Sequence, residues 1–325
     1  MGFALTFFAR RLAQGALIVL LVSFTIFALL RVVPGDPARI ILGPMATDQV
    51  VEQTAREMGL RDPIPVQYLR YLGQMARGDF GTSFIKAKSG GSLGGGRDEA
   101  RGERARVLDL LAETLPLTLR LAGLALVFTA LIALPLGIAG GLMAGRWPDK
   151  LALYASSIFV SLPNFWLAIV LALVVTAELG WIPSIGYKGI AYAILPAFVI
   201  AIEMSPLFIR ALSVSIADTM RHPFVELAQV RGLSPKRIFG HHVLRNAAVP
   251  VLNLFGVQIG ALLGGVLIVE YIFDYPGFGL LTVQAVLQRD FPVIQGIAII
   301  STSIFVVINI LVDFVSARID PRIAY

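Results

Sequence analysis

The chain has 325 residues, 57% hydrophobic and 15% charged, with a formal net charge of +6 and no cysteine; its mean hydropathy is +0.79. Soluble globular proteins carry roughly 25% charged residues, so this composition excludes an ordinary soluble domain and points to a membrane protein. Without cysteine there is no disulfide framework or thiolate metal site. Basic residues gathered at the ends of apolar runs, rather than interleaved with aromatics on one face, argue against nucleic-acid binding.

Arg10 and Arg11 precede a charge-free run from Leu12 to Leu30. At about 1.5 Å per residue this run can cross a hydrocarbon core of about 30 Å. It is too long for a signal-peptide core and lacks a clear small-residue cleavage site, so it reads as a retained first span with its amino end inside. Residues 1–33 form this first unit. Pro34-Gly35-Asp36-Pro37 closes it, and residues 34–114 read as a small external helical subdomain. Two helices are legible there. One runs from Thr47 to Met58, with Thr47 or Asp48 as cap, a Glu52–Arg56 pair and Gly59 as stop. The other, Pro65 to Ala76, places Val66, Leu69, Leu72 and Met75 near one face. Lys88 to Arg106 is glycine-rich and then charged, and reads as a flexible insert.

Five further spans make up the core, residues 115–316. The second runs from Leu121 to Gly145, and Arg146 and Lys150 bracket an inside turn. The third, Leu151 to Ala177, contains Ser161-Leu162-Pro163-Asn164-Phe165-Trp166, a break that survives in lipid only where neighbours or a cavity satisfy the freed backbone. The fourth runs from about Ile190 to Ile209 and holds Pro196, Glu203 and Pro206. The fifth, about Val249 to Val269, carries Gly256, Gly260, Gly264 and Gly265 at spacing that lets another helix approach closely. EYIFDYPGFG, from Glu270 to Gly279, reads as an outside turn. The sixth span runs from about Phe291 to Val312, and residues 317–325 form an inside tail. Six crossings put both termini in the cytoplasm. The basic residues agree: Arg10, Arg11, Arg146, Lys150, Arg318 and Arg322 fall inside, against Lys188 and Arg289 in the short outside loops.

Between the fourth and fifth spans lies the long polar run 213–249. Arg221, Arg231, Lys236, Arg237 and Arg245 outnumber Asp218 and Glu226 in it. Pro223 opens a helix through Val230, and Gly232 stops it by tolerating a left-handed backbone. Ser234-Pro235 restarts one, with serine as cap and proline in the first turn. Helix, glycine break, helix under a membrane is a shape that a partner can grip.

FVELAQVRGLSPKRIFGHHVLRNAAVP, from Phe224 to Pro250, resembles the cytoplasmic coupling loop of ABC importer permeases, written E-A-A, three residues, G. Glu226, Ala228 and Gly232 match; Leu227 replaces the middle alanine. The form is similar to the dipeptide/oligopeptide branch of the type I family. The Pro-Gly-Asp-Pro exit, the SLPNFW segment, the YPGFG turn and the closing Asp320-Pro321-Arg322 extend the likeness over nearly the whole chain. The resemblance implies an all-α membrane protein of the type I importer permease fold. It forms half of a translocation pathway for small peptides or related solutes and is not itself an enzyme. Its implied partners are a second homologous permease, two ATP-binding subunits, an external solute-binding protein and the lipid bilayer of the bacterial inner membrane. ATP and Mg would be bound by the ATPase partners, consistent with the lack of a G-x-x-x-x-G-K-[ST] loop here. The same resemblance marks Phe224 and Leu233 as apolar anchors in the ATPase groove and Arg231 as a partner for an acidic ATPase residue.

Glu203 is the intramembrane charge of most interest, because a carboxylate at a helix centre costs around 3 kcal/mol on insertion scales. It reads either as a pathway residue that meets a solute's amino group or cation, or as a partner of Arg120, Arg210 or a charge on the second permease. Asn164, at the SLPNFW break, reads as a pathway residue or as part of a structural kink. Adjacent His241 and His242 point about 100° apart on a helix and do not share a metal. A secondary, ion-coupled transporter is the alternative from another class, but it would need inverted repeats and ion-binding charges in broken helices. An intramembrane enzyme would need a nucleophile and base at depth. Within the importer reading, nickel complexes, glutathione and opines remain alternative solutes.

Overall fold

The structure is a computed structural model. It describes residues 2–32, 35–87 and 104–319. Thirteen helices and one hairpin are found in these. They run α1 (Gly2–Val32), α2 (Pro37–Leu42), α3 (Asp48–Glu57), α4 (Ile64–Met75), β1 (Thr82–Ala87), β2 (Arg104–Arg106), α5 (Val107–Leu142), α6 (Trp147–Ser161), α7 (Asn164–Leu171), α8 (Ala191–Met220), α9 (Pro223–Val230), α10 (Pro235–Arg237), α11 (Leu244–Ile272), α12 (Phe278–Gln288) and α13 (Phe291–Ile319). π-Helical turns occupy Ala172–Glu178 and Ile238–Val243. Five helices are long and apolar enough to cross a membrane. The pair Trp147–Ser161 and Asn164–Glu178, bent by 88°, makes a sixth when counted as one broken span.

The chain divides into two compact units, Met1–Leu117 with Pro276–Val306, and Thr118–Tyr275 with Val307–Tyr325. In the first, Asp36 caps α2 by accepting from the Ala38 amide at 2.9 Å and also accepts from Arg61 at 2.8 Å. Ala38, Val51 and Ala55 form a small core between α2 and α3. The Glu52–Arg56 pair is present at 3.0 Å. Arg61, then Arg56, hold the Glu52 carboxyl below the usual carboxylate range; these pairs are solvent-exposed and contribute little stability.

The face of α4 that packs is not the apolar row expected. Val66 and Leu69 are exposed, whereas Gln67 is buried. Tyr68 sets its ring edge-on to Phe24 and Phe27 at 5.1 and 5.5 Å, and its hydroxyl lies 2.7 Å from Ser23 Oγ. Arg31 Nε donates to Gln67 Oε1 at 2.8 Å. Against α1, an amphipathic tyrosine that fills space and hydrogen-bonds at its tip wins over aliphatic residues.

The antiparallel β1–β2 hairpin was not anticipated. Its second strand takes the last three residues of the proposed flexible insert; residues 88–103 lie outside the described residues. β1 is fixed at the corner between α12 and α13, where buried Asp290 accepts from Ser83 Oγ and from the Phe84 amide at 3.1 Å. Lys86 Nζ donates to Gln284 at 2.9 Å, and burial pushes its amine below the ordinary lysine value, with Asp290 and Glu113 opposing. Beneath the hairpin, Val107, Leu110 and Leu111 pack on Phe278, Leu281, Val293 and Ile297.

In the second unit α8 is the central element; it packs on α6, α7 and α11, and more than half of its residues are buried. It admits the end of α5 closely, since a Cβ at Gly137 or Gly141 would lie 2.6 Å from the Cβ of Leu212 or Ile216. Of the α11 glycines, Gly256 faces Val312 and Gly265 faces Glu203, but Gly264 has nothing within 4 Å. Several spans begin earlier or end later than expected. α5 starts at Val107 rather than Leu121, and α8 continues to Met220, into the run read as polar loop. Glu270 is fully buried and accepts from Thr118 Oγ1 at 2.6 Å.

Candidate functional site: an elbow between two long helices and a carboxylate on the central helix

The elbow consists of α9, Gly232 and α10, followed by the π-turn that leads into α11. His222 caps α9 in extended conformation and Pro223 occupies its first turn. The helix stops because Gly232 adopts φ +76°, where a side chain would be strained. The Leu233 amide then donates back to Ala228 O at 3.2 Å. Val225 and Ala228 point into the subunit and join Leu212, Ile216, Ile238, Val243 and Ala247 in one buried cluster. Leu233 packs against that cluster as well, so it faces its own chain more than a partner. Phe224, Glu226, Arg231 and Gly232 are exposed.

Two exposed residues were missed in the sequence. Leu227 is 54% exposed and Val230 85%. With Phe224 they repeat every third residue, which on a helix places them near one face. The His222 ring stacks on Phe224 at 5.7 Å with 13° between planes. The result is an apolar ridge, bordered by Glu226 and Arg231, on a helix whose opposite face is anchored. The signal was available: an apolar residue at every third position of a short helix in a polar loop has no core to serve on all sides.

The second site lies between α7, α8 and α11. The span expected over 151–177 breaks at Leu162-Pro163, within the segment where a break is expected, and the helices on either side meet at 88°. Asn164 opens α7 there and its Nδ2 donates to Glu203 Oε2 at 3.0 Å. Two residues selected separately, 39 positions apart, thus meet. A Cβ on Gly265 would come within 3.0 Å of the same oxygen. Neither Arg120 nor Arg210 forms an ion pair with Glu203, whose contact among the described residues is Asn164. His241 and His242 sit edge-to-face at 5.5 Å, and no metal-binding cluster is found among the described residues.

Comparison with known proteins places this architecture. Residues 133–325 match the model of the binding-protein-dependent transport system inner membrane component, and residues 4–122 match the model of the N-terminal part of such components. The chain belongs to this family, the permeases of ABC importers. The permease is 33% identical over 307 residues to the glutathione transport system permease protein GsiC of Salmonella paratyphi A, covering 94% of this chain and 95% of that protein. It is also 33% identical to GsiC of Escherichia coli K12 over 305 residues, covering 94% of each. Among solved structures, a chain of the MetNI methionine ABC transporter in an inward-facing conformation superposes with a TM-score of 0.50 at 17% identity, covering 67% of this chain and 98% of that one. That likeness establishes the type I importer fold. The permease is a multi-pass inner-membrane transport subunit.

Proposed function

We propose that this permease forms half of the translocation pathway for small peptides or related solutes, and that it is moved by two separate ATP-binding subunits pressing on its elbow. A second, homologous permease completes the pathway and an external solute-binding protein delivers the cargo. ATP and Mg reside in the ATPase subunits. The observation that carries this reading is the α9 elbow: one face of the helix is locked into the permease by Val225 and Ala228, and the other offers Phe224, Leu227 and Val230. A push on such a helix is transmitted rather than absorbed. Glu226 and Arg231 flank the ridge as polar partners for the ATPase, and Leu233 supports it from within. Asn164 and Glu203 line the pathway. The preference for small peptides rests on similarity to glutathione permeases, since glutathione is itself a tripeptide.

The test is uptake by the complete transporter in vesicles supplied with ATP, its binding protein, and labelled glutathione and dialanine as probes. Wild type takes up at least one of them. Gly232→Val inserts normally but loses ATP-driven uptake by about ten-fold or more, because a β-branched residue is strained at this backbone angle. Unchanged uptake by Gly232→Val would refute the coupling reading. Exclusion of both probes by wild type would refute the peptide reading.

A further inference from the structure

We propose that Glu203 and Asn164 form a receptor for a primary ammonium group, the protonated amine of a solute in transit. The inference rests on the pathway reading above and adds what the pathway recognises.

Glu203 lies near the middle of α8, a helix most of whose residues are buried. Among its exposed residues, Glu203, Leu207, Arg210, Val214 and Asp218 form a row, with Phe198 exposed apart from it. This spacing of four, three, four and four residues is one face of a helix. The carboxylate therefore sits on the open side of the central helix at membrane depth, where a charge persists only if it meets water or a partner. No cation pairs with Glu203 within the chain: among the described residues its contact is the Asn164 amide, and Arg210 stands two turns further along the row.

That contact sets the chemistry. The Asn164 Nδ2 donates to Glu203 Oε2, so the amide turns its donor to the carboxylate and leaves Oδ1 as an acceptor. Glu203 Oε1 is a second acceptor, and it carries charge. Two neighbouring acceptors with one net negative charge match an ammonium group, which has three donors and no acceptor. A solute carboxylate or phosphate is repelled. Gly265 contributes by absence: a Cβ there would stand 3.0 Å from Oε2 and 3.5 Å from Oε1, pressing on the carboxylate. The break at Leu162-Pro163 places Asn164 at the start of a new helix, where its side chain is fixed by short-range geometry. Carboxylate, carboxamide and glycine thus come from three elements that pack on one another.

The experiment uses the assembled four-subunit transporter in proteoliposomes. The permease has no cysteine, so Leu207→Cys, one turn from Glu203 on the same row, gives a single reporter, read on this chain by mass spectrometry. Two thiol reagents of similar size are compared: 2-aminoethyl methanethiosulfonate, a primary ammonium, and 2-sulfonatoethyl methanethiosulfonate, an anion. With Glu203 present the ammonium reagent reacts about ten-fold faster, after correction for reactivity with a free thiol, because a carboxylate in a low-dielectric cleft concentrates cations. Glu203→Gln abolishes the preference and Glu203→Asp retains it. Equal rates for both reagents with Glu203 intact would mean that Arg210 or another subunit neutralises the carboxylate, and would overturn the receptor while leaving the pathway. A preference that survives Glu203→Gln overturns the receptor too. Failure of both reagents to react would show the row closed to water and would bring down the pathway reading as well. Should Leu207→Cys fail to assemble, Leu167→Cys, one turn from Asn164 on α7 and half-buried, is the reporter.

Discussion

Asp290 is 1% exposed, yet it is a carboxylate. It is tolerated because its oxygens are occupied: Ser83 Oγ and the Phe84 amide both donate to it, and Ser83 Oγ in turn accepts from the Lys86 amide at 2.8 Å. The preceding Arg289 adopts φ 57°, which ends α12 and turns the chain so that Asp290 can reach β1. Removing the acceptor strands buried donors, which is costlier than removing both partners of a hydrogen bond. Asp290→Ala is therefore expected to destabilise the detergent-purified transporter by about 2–3 kcal/mol, read as a lowered thermal midpoint, while the double variant Asp290→Ala with Ser83→Ala recovers part of the loss. If the single substitution leaves the midpoint unchanged, the hairpin is not held at this corner. None of this was legible beforehand, because the partners lie 207 residues apart and neither position carries a local pattern.

At the scale of elements, what was legible follows from local chemistry. Pro223–Val230 was delimited correctly because a proline in the first turn and a left-handed glycine after the last are backbone constraints that tertiary packing does not override. The same holds for α3, framed by Thr47 and Gly59. α12 is not legible because YPGFG reads as a turn, although Phe278 within it and Leu280 and Leu281 after it are buried. The packed face of α4 departs from its aliphatic periodicity because Tyr68, not Val66 or Leu69, fills the space against α1. The elbow residues divide by role: Ala228 faces inward and Leu233 packs beside it, and Leu227 and Val230 face out. This division predicts opposite phenotypes. Under the proposed coupling, Val230→Asp puts a charge on the apolar ridge offered to the ATPase subunits, and is expected to cut their co-purification by about ten-fold or more without lowering the thermal stability of the permease. Ala228→Asp buries an unpaired charge and lowers stability first. Undiminished ATPase recovery with Val230→Asp would place the docking face elsewhere on the elbow.

Over the whole chain, the sidedness of the elbow depends on one geometric question. The pair α6 and α7 is bent by 88°, so it either completes one crossing or returns to the side from which it came. If it returns, Arg221, Arg231, Lys236, Arg237 and Arg245 lie on the opposite side from Arg10, Arg11, Arg146 and Lys150. If it crosses, all nine share a side, and Lys188 stands across the membrane from them. Retaining so many basic residues on one side is the strong topological preference, so the pair is expected to act as one broken crossing with both termini cytoplasmic. α12 does not alter the parity, since its 11 residues extend only about 16 Å at the α-helical rise, short of a hydrocarbon core. The cysteine-free chain makes this measurable: Ile185→Cys, in the loop before α8 and 53% exposed, is expected to react with a membrane-impermeant maleimide in spheroplasts, whose outer face is open to the reagent. His241→Cys, exposed in the elbow and off the apolar ridge, is expected to react only after the membrane is permeabilised. Labelling of His241→Cys in sealed spheroplasts would turn the elbow outward, away from any cytosolic ATPase.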